Sequence, residues 1–227
     1  MKFMGAGMAD LEPIQRQIRI GVTGHRKLDD PAAMLALVKK AIDAEVCNLF
    51  PDDRRRGMER GASAGTTAAS LRVLSPLAEG ADRVVARAVL DCPDARLDVV
   101  LPLALEDYLE DFVTEESRKE FKELLDRCGR PVLLRTRRIR EERRDGGGDP
   151  GGQAEVRAEL RREAYAAAGR YVVDHCDVFI AVWDGEPSRG RGGTAEIVQY
   201  ALEQNRPILR VWGDSFEVLN RGNSTGG

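Results

Sequence analysis

Two hydrophobic periods alternate along this chain. Short apolar runs of strand length occur at Ile18–Val22, Leu71–Leu74, Leu97–Leu101, Val132–Leu134, Val178–Val182 and Pro207–Val211. Between them, apolar residues recur at helical spacing. Met34, Leu35, Val38, Ala41, Ile42 and Val46 form one such stripe. Val84, Val85, Ala88 and Val89 form a second. Helical patterns also cover 106–112, 115–128, 155–174 and 195–204. Val178-Phe-Ile-Ala-Val182 is continuously apolar, as a strand covered on both faces must be. Strands alternating with helices predict an α/β fold with a parallel sheet and helices on both faces.

Right-handed crossovers bring every strand-to-helix loop to one edge of such a sheet. Ligands bind there, where the strand order reverses. The two most glycine-rich loops follow the strands at 18–22 and 178–182. If they form one cleft, those strands are neighbours, and six strands take the order 4-3-2-1-5-6. Asp29-Asp30-Pro31 predicts a carboxylate-capped helix start with proline in its first turn. Residues 1–17 read as a flexible leader, 18–212 as one domain, and 213–227 as a tail. A basic run, Arg135 to Arg144, leads into Gly146-Gly-Gly148 and Pro150-Gly-Gly152, so 136–153 reads as an exposed insertion.

Composition narrows the function. Thirty-five basic residues against 38 acidic ones give a net charge of −3. Neither this balance nor the basic run, which lacks interleaved aromatics, predicts nucleic-acid binding. No stretch has the length and apolarity of a membrane span. Cys47, Cys92, Cys128 and Cys176 show no CxxC spacing, so a reduced, cytoplasmic chain is the expectation. With His25 and His175 as the only histidines, neither a zinc site nor a cofactor is predicted.

Three loops carry candidate chemistry. Gly21-Val-Thr-Gly-His-Arg26 supplies Gly21 and Gly24 for close backbone approach, and Thr23, His25 and Arg26 for polar reach. It is neither the dinucleotide fingerprint nor a P-loop. Glu79-Gly80-Ala-Asp82-Arg83 opens the helix after the second strand. Asp184-Gly185 ends the fifth strand, and Gly192-Gly193-Thr194-Ala-Glu196 opens the next helix, with Thr194 placed to cap it. A helix start after a glycine-rich turn offers unpaired N–H groups to a phosphate. Arg26 suits the same anion. His25 reads equally as a phosphate contact, an acid or base, or a surface histidine. Glu79, Asp82 and Asp184 read as ribose ligands or as cap and turn residues. Tyr165 and Tyr171 read as packing. Trp183 reads as a base platform or as cover for the sheet edge.

These three loops, taken in order, resemble the signature loops of the SLOG superfamily, which includes DprA-like and LOG-like proteins. The resemblance spans Ile18 to Val211. It implies a Rossmann-like fold that binds a nucleotide or nucleotide derivative, ADP-ribose-like ligands included. Some relatives are nucleoside 5′-monophosphate phosphoribohydrolases and others only bind. LOG-type hydrolases carry P-G-G-x-G-T-x-x-E. Here the acid, Glu196, stands one place early, which turns it by about 100° around the helix. Glu196 is the candidate catalytic carboxylate under the hydrolase reading. The departure favours a binding or sensing protein whose output passes through a separate effector or a homo-oligomer. A DprA-like DNA-binding protein is the third alternative.

Overall fold

The computed structural model describes residues 17–46, 70–134, 150–187 and 193–222. The leader up to 16, residues 136–149 of the expected insertion and Gly192 lie outside these residues, while 150–153, read as the end of that insertion, are helical. Seven strands and six helices follow in order among the described residues. β1 (Gln17–Gly24) leads to α1 (Pro31–Ala41), which continues as a wider helical turn over Ile42–Val46. β2 (Ser70–Ser75) and α2 (Ala81–Leu90) follow, then β3 (Arg96–Leu101), α3 (Leu105–Leu109), α4 (Glu115–Leu125) and the short β4 (Val132–Leu133). α5 (Pro150–His175) precedes β5 (Val178–Val182), and α6 (Thr194–Glu203) precedes the hairpin of β6 (Ile208–Trp212) and β7 (Ser215–Asn220).

The strand order is β4-β3-β2-β1-β5-β6-β7. All pairings are parallel except β6 with β7. The six-strand order expected from the loops is therefore observed, with one strand added. β7 lies inside the stretch 213–227 that reads as a tail in the sequence. Gly213 takes φ +62°, as the first central residue of a tight two-residue hairpin turn must, and Trp212 pairs with Ser215 across it. Phe216 and Val218 turn inward while Glu217 is exposed, so the strand half-buries one face.

β5 sits near the middle of the sheet and all five of its residues are inaccessible to solvent. Its side chains divide by period two. Val178, Ile180 and Val182 join the core under α1 and α2. Phe179 and Ala181 join the core under α5 and α6. Asp30 caps α1 through its side chain, accepting from Ala32 N–H at 3.1 Å and Ala33 N–H at 2.9 Å. This fixes where the chain leaves the β1 loop. At the opposite end of the sheet, Asp177 accepts from Arg19 N–H at 2.8 Å and pairs with the Arg19 guanidinium at 3.2 Å. That link sets the register of β5 beside β1.

Candidate functional site

The strand order reverses between β1 and β5, so the loops that follow them open a crevice at the carboxyl end of the sheet. Glycines bring the loops together. A Cβ on Gly24 would stand 2.4 Å from Ala81 Cβ and 2.5 Å from Val182 O, so the β1 loop, α2 and β5 meet only if this residue lacks one. Gly80 has φ +75°, and a Cβ there would stand 2.4 Å from the carbonyl oxygens of both His25 and Arg26. His25 N–H donates to Val182 O at 3.1 Å, and Ala81 N–H donates to His25 O at 3.0 Å. The β1 loop, the start of α2 and the end of β5 are thus one hydrogen-bonded unit.

Two chambers flank this unit, and both are bordered by Gly193 and Thr194 at the start of α6. The first has a volume of about 260 Å³ and is lined by Thr23, Gly24, Arg26, Asp82, Tyr108 and Tyr165, among others. Asp82 is 6% exposed. Burial raises its pKa to about 7, against the opposing pull of the Ala78 N–H bond at 3.1 Å, the Arg26 charge and the Ser75 hydroxyl. The carboxyl therefore exists in both protonation states near neutral pH. Arg26 is exposed and its guanidinium lies 5.6 Å from the Tyr165 ring centroid. Tyr108 is 1% exposed overall. Burial raises its pKa well above the usual phenol value, with the Asp82 charge adding to the shift.

The second chamber, about 460 Å³, is lined by His25, Lys27, Trp183, Asp184 and Trp212, among others. His25 Nε2 lies 3.1 Å from Asp184 Oδ1 and 3.3 Å from the Asp184 backbone nitrogen, and the His25 ring meets Trp212 edge-on at 5.0 Å. The Glu186 N–H, at 2.9 Å, does most to hold the Asp184 carboxyl below the usual carboxylate range, and His25 adds to it. Arg210 fixes the wall from behind. Its guanidinium donates to Trp183 O at 3.0 Å and Asp184 O at 2.8 Å.

The helix that separates the chambers starts without a side-chain cap. Gly193 is the N-cap residue, in extended conformation, and Thr194 is the first helical residue rather than the cap its position suggests. Glu196 N–H donates to Gly193 O at 3.1 Å. The N–H groups of Thr194 and Ala195 have no intrahelical acceptor, as in the first turn of any helix.

The other candidates lie elsewhere. Gly21 faces α5, where a Cβ would stand 2.8 Å from Val172 and 2.9 Å from Phe179, so it is a packing glycine inside the strand. Glu79 accepts from the Ser117 hydroxyl and lines neither chamber. Arg83 is buried and structural. It donates to Leu77 O at 3.2 Å and Ser117 O at 3.0 Å, pairs with Glu120 at 2.7 Å, and lies over the Phe112 ring. Glu196 borders a third cavity of about 420 Å³ with Pro102, Arg162 and Arg170, and Arg170 stands 3.7 Å from its carboxylate. Thr23, Gly24, His25, Arg26, Asp82, Asp184, Gly193 and Thr194 border the two chambers. Tyr108, Trp212 and Lys27 line them without belonging to any candidate set from the sequence. Tyr165, which reads as packing, lines the first chamber and also donates its hydroxyl to Asp111.

Among the described residues, no group of three or more His, Cys, Asp or Glu side chains could hold a metal ion, and no helix is long and apolar enough to cross a membrane. No known protein family matches the chain, and no curated protein does. Two solved structures of the molybdenum cofactor carrier protein from Chlamydomonas reinhardtii resemble it distantly. One is 14% identical over 86% of this chain and 76% of that one, with a TM-score of 0.38. The other is 12% identical over 87% and 78%, also with a TM-score of 0.38.

Proposed function

We propose that this protein binds a nucleotide or a nucleotide derivative of the ADP-ribose type, and acts as a sensor rather than an enzyme. One observation carries the reading. The exposed Arg26 guanidinium and the uncapped first turn of α6 border the same chamber, at the strand-order reversal. A phosphate there accepts hydrogen bonds from Thr194 and Ala195 N–H and faces the positive end of the helix dipole. Arg26 adds a charge-assisted bond. Thr23, Asp82 and Tyr108 offer hydrogen-bonding groups to sugar hydroxyls beyond it. The SLOG-like order of the three loops supports the same ligand class. Output in this reading passes to a separate effector chain or a second copy.

A second reading, nucleoside 5′-monophosphate phosphoribohydrolase, draws on a different residue from the one the sequence suggests. Asp82, with its pKa near 7, can give or take a proton inside the chamber. Glu196 borders the separate cavity beside Arg170.

The test begins with denaturing the purified protein and identifying released nucleotides by mass spectrometry. Fresh protein is then incubated with AMP, CMP and NAD, and free base is sought. The sensor reading expects bound nucleotide and no base. It also expects Glu196→Gln to keep nucleotide affinity within a few fold. Base release that disappears in Glu196→Gln would establish hydrolysis and return Glu196 to the catalytic role, because the loss of a transition-state contact lowers turnover and not binding.

A further inference from the structure

The chain contains two tryptophans, Trp183 and Trp212, and both line the second chamber. They come from different strands, one just after β5 and one at the end of β6; Trp212 meets the His25 ring edge-on, and the Arg210 guanidinium lies 5.7 Å from the Trp183 ring centroid. Each packs at the edge of the core and remains partly exposed. On the far side of Gly193–Thr194, Tyr108 borders the first chamber. A phenol O–H at a chamber wall can donate to a ligand hydroxyl or phosphate oxygen. The two chambers share a helix N-terminus between them, the second holding both tryptophans and the first Thr23, Arg26, Asp82 and Tyr108.

We propose that the Trp183–Trp212 chamber is a binding subsite for a planar heterocycle, so that the ligand spans both chambers. Its heterocycle lies against the tryptophans, its phosphate or pyrophosphate bridge lies at the start of α6, and its far sugar reaches Asp82 and Tyr108. The inference rests on the nucleotide reading and narrows it to a bridged, two-part ligand. Tryptophan faces suit any flat heteroaromatic ring, while His25, Asp184 and Lys27 supply polar edges at the rim.

Because both tryptophans sit in this chamber, their fluorescence reports on it without any mutation. Ribose 5-phosphate and ADP-ribose are the probes, each titrated by calorimetry and by tryptophan fluorescence. ADP-ribose is expected to bind at least ~10-fold more tightly, the lower range of an aromatic stacking contact, and to change the fluorescence saturably. Ribose 5-phosphate is expected to bind and leave the fluorescence unchanged. Trp212→Leu is expected to remove the ADP-ribose advantage and to leave ribose 5-phosphate affinity as it was. Equal affinities for the two probes, with tryptophan fluorescence unaffected by either, would overturn the subsite while leaving the nucleotide reading standing. If neither these probes nor AMP bind, the nucleotide reading fails and the subsite fails with it.

Discussion

Gly80→Ala is expected to destabilise the fold by about 3 kcal/mol or more. Two costs add. The residue holds φ +75°, a conformation that costs a side-chain-bearing residue about 1–3 kcal/mol. Its new Cβ would stand 2.4 Å from the His25 and Arg26 carbonyl oxygens, and those are backbone atoms. They cannot turn aside as a flexible side chain would, and overpacking of this kind costs a further ~1–3 kcal/mol. Relief requires the β1 loop to move off α2, which breaks the Ala81 N–H bond to His25 O. In a chain of this length the melting temperature would fall by roughly 6–12 °C. Gly129→Ala is the control, since a Cβ there meets nothing within 4 Å. It should change stability by less than ~0.5 kcal/mol. If Gly80→Ala melts with the unmodified protein, the loops are not the tightly joined unit described above.

Asp82→Asn is expected to change how stability depends on pH. Burial holds the folded carboxyl at a pKa of about 7, whereas an unfolded aspartate titrates near ~3.9. The folded state therefore keeps its proton over a range in which the unfolded state has lost its own. The stabilisation from this difference is fully present below ~pH 4 and declines as pH rises toward 7. Integrated from pH 5 to pH 8, the loss is about 2–3 kcal/mol. The amide introduced by Asp82→Asn cannot ionise, and its oxygen can still accept from Ala78 N–H. Urea unfolding of both proteins at pH 5 and pH 8 gives the comparison. The unmodified protein should lose that amount relative to the variant between the two values. Parallel pH profiles would show that Asp82 titrates normally and that the chamber does not hold a carboxyl near neutrality.

The architecture was legible because its signals are local. Val178 to Val182 is apolar at every position, and the helical stretches at 34–46 and 84–89 each carry an apolar stripe. The position of β1 beside β5 followed from requiring two glycine-rich loops to meet, and the sheet order agrees. β7 was harder to read. Only Phe216 and Val218 turn inward among its apolar residues, and Leu219 faces out on the same side as Glu217, which breaks the clean alternation. The Gly213-Asp214 turn was the signal available for it.

The loops that border the two chambers were legible in the sequence, the individual lining residues less so. Gly21 and Gly24 stand in one six-residue motif and look alike in sequence. Which one borders the cleft depends on what packs behind them, Val172 and Phe179 for one, Ala81 and Val182 for the other. Asp82 and Glu79 are likewise three residues apart, yet only Asp82 reaches the chamber. Glu79 turns to Ser117, a contact 38 residues away in sequence. Tyr108 carries no motif at all. It reaches the chamber because the loop after β3 ends at the same edge of the sheet, which is a property of the topology rather than of any local pattern.

A phosphate at the start of α6 is the contact on which the nucleotide reading depends. The most direct test is calorimetric titration of AMP and ADP-ribose into the unmodified protein and into Gly193→Val. Gly193 borders both chambers, and its extended backbone accepts a side chain without strain. A branched side chain there should occupy space that the phosphate needs. Both ligands are expected to bind the variant at least ~100-fold more weakly, about 2.7 kcal/mol, with circular dichroism and melting temperature unchanged. Undiminished affinity for both ligands in a folded Gly193→Val protein would place the phosphate elsewhere and contradict this reading.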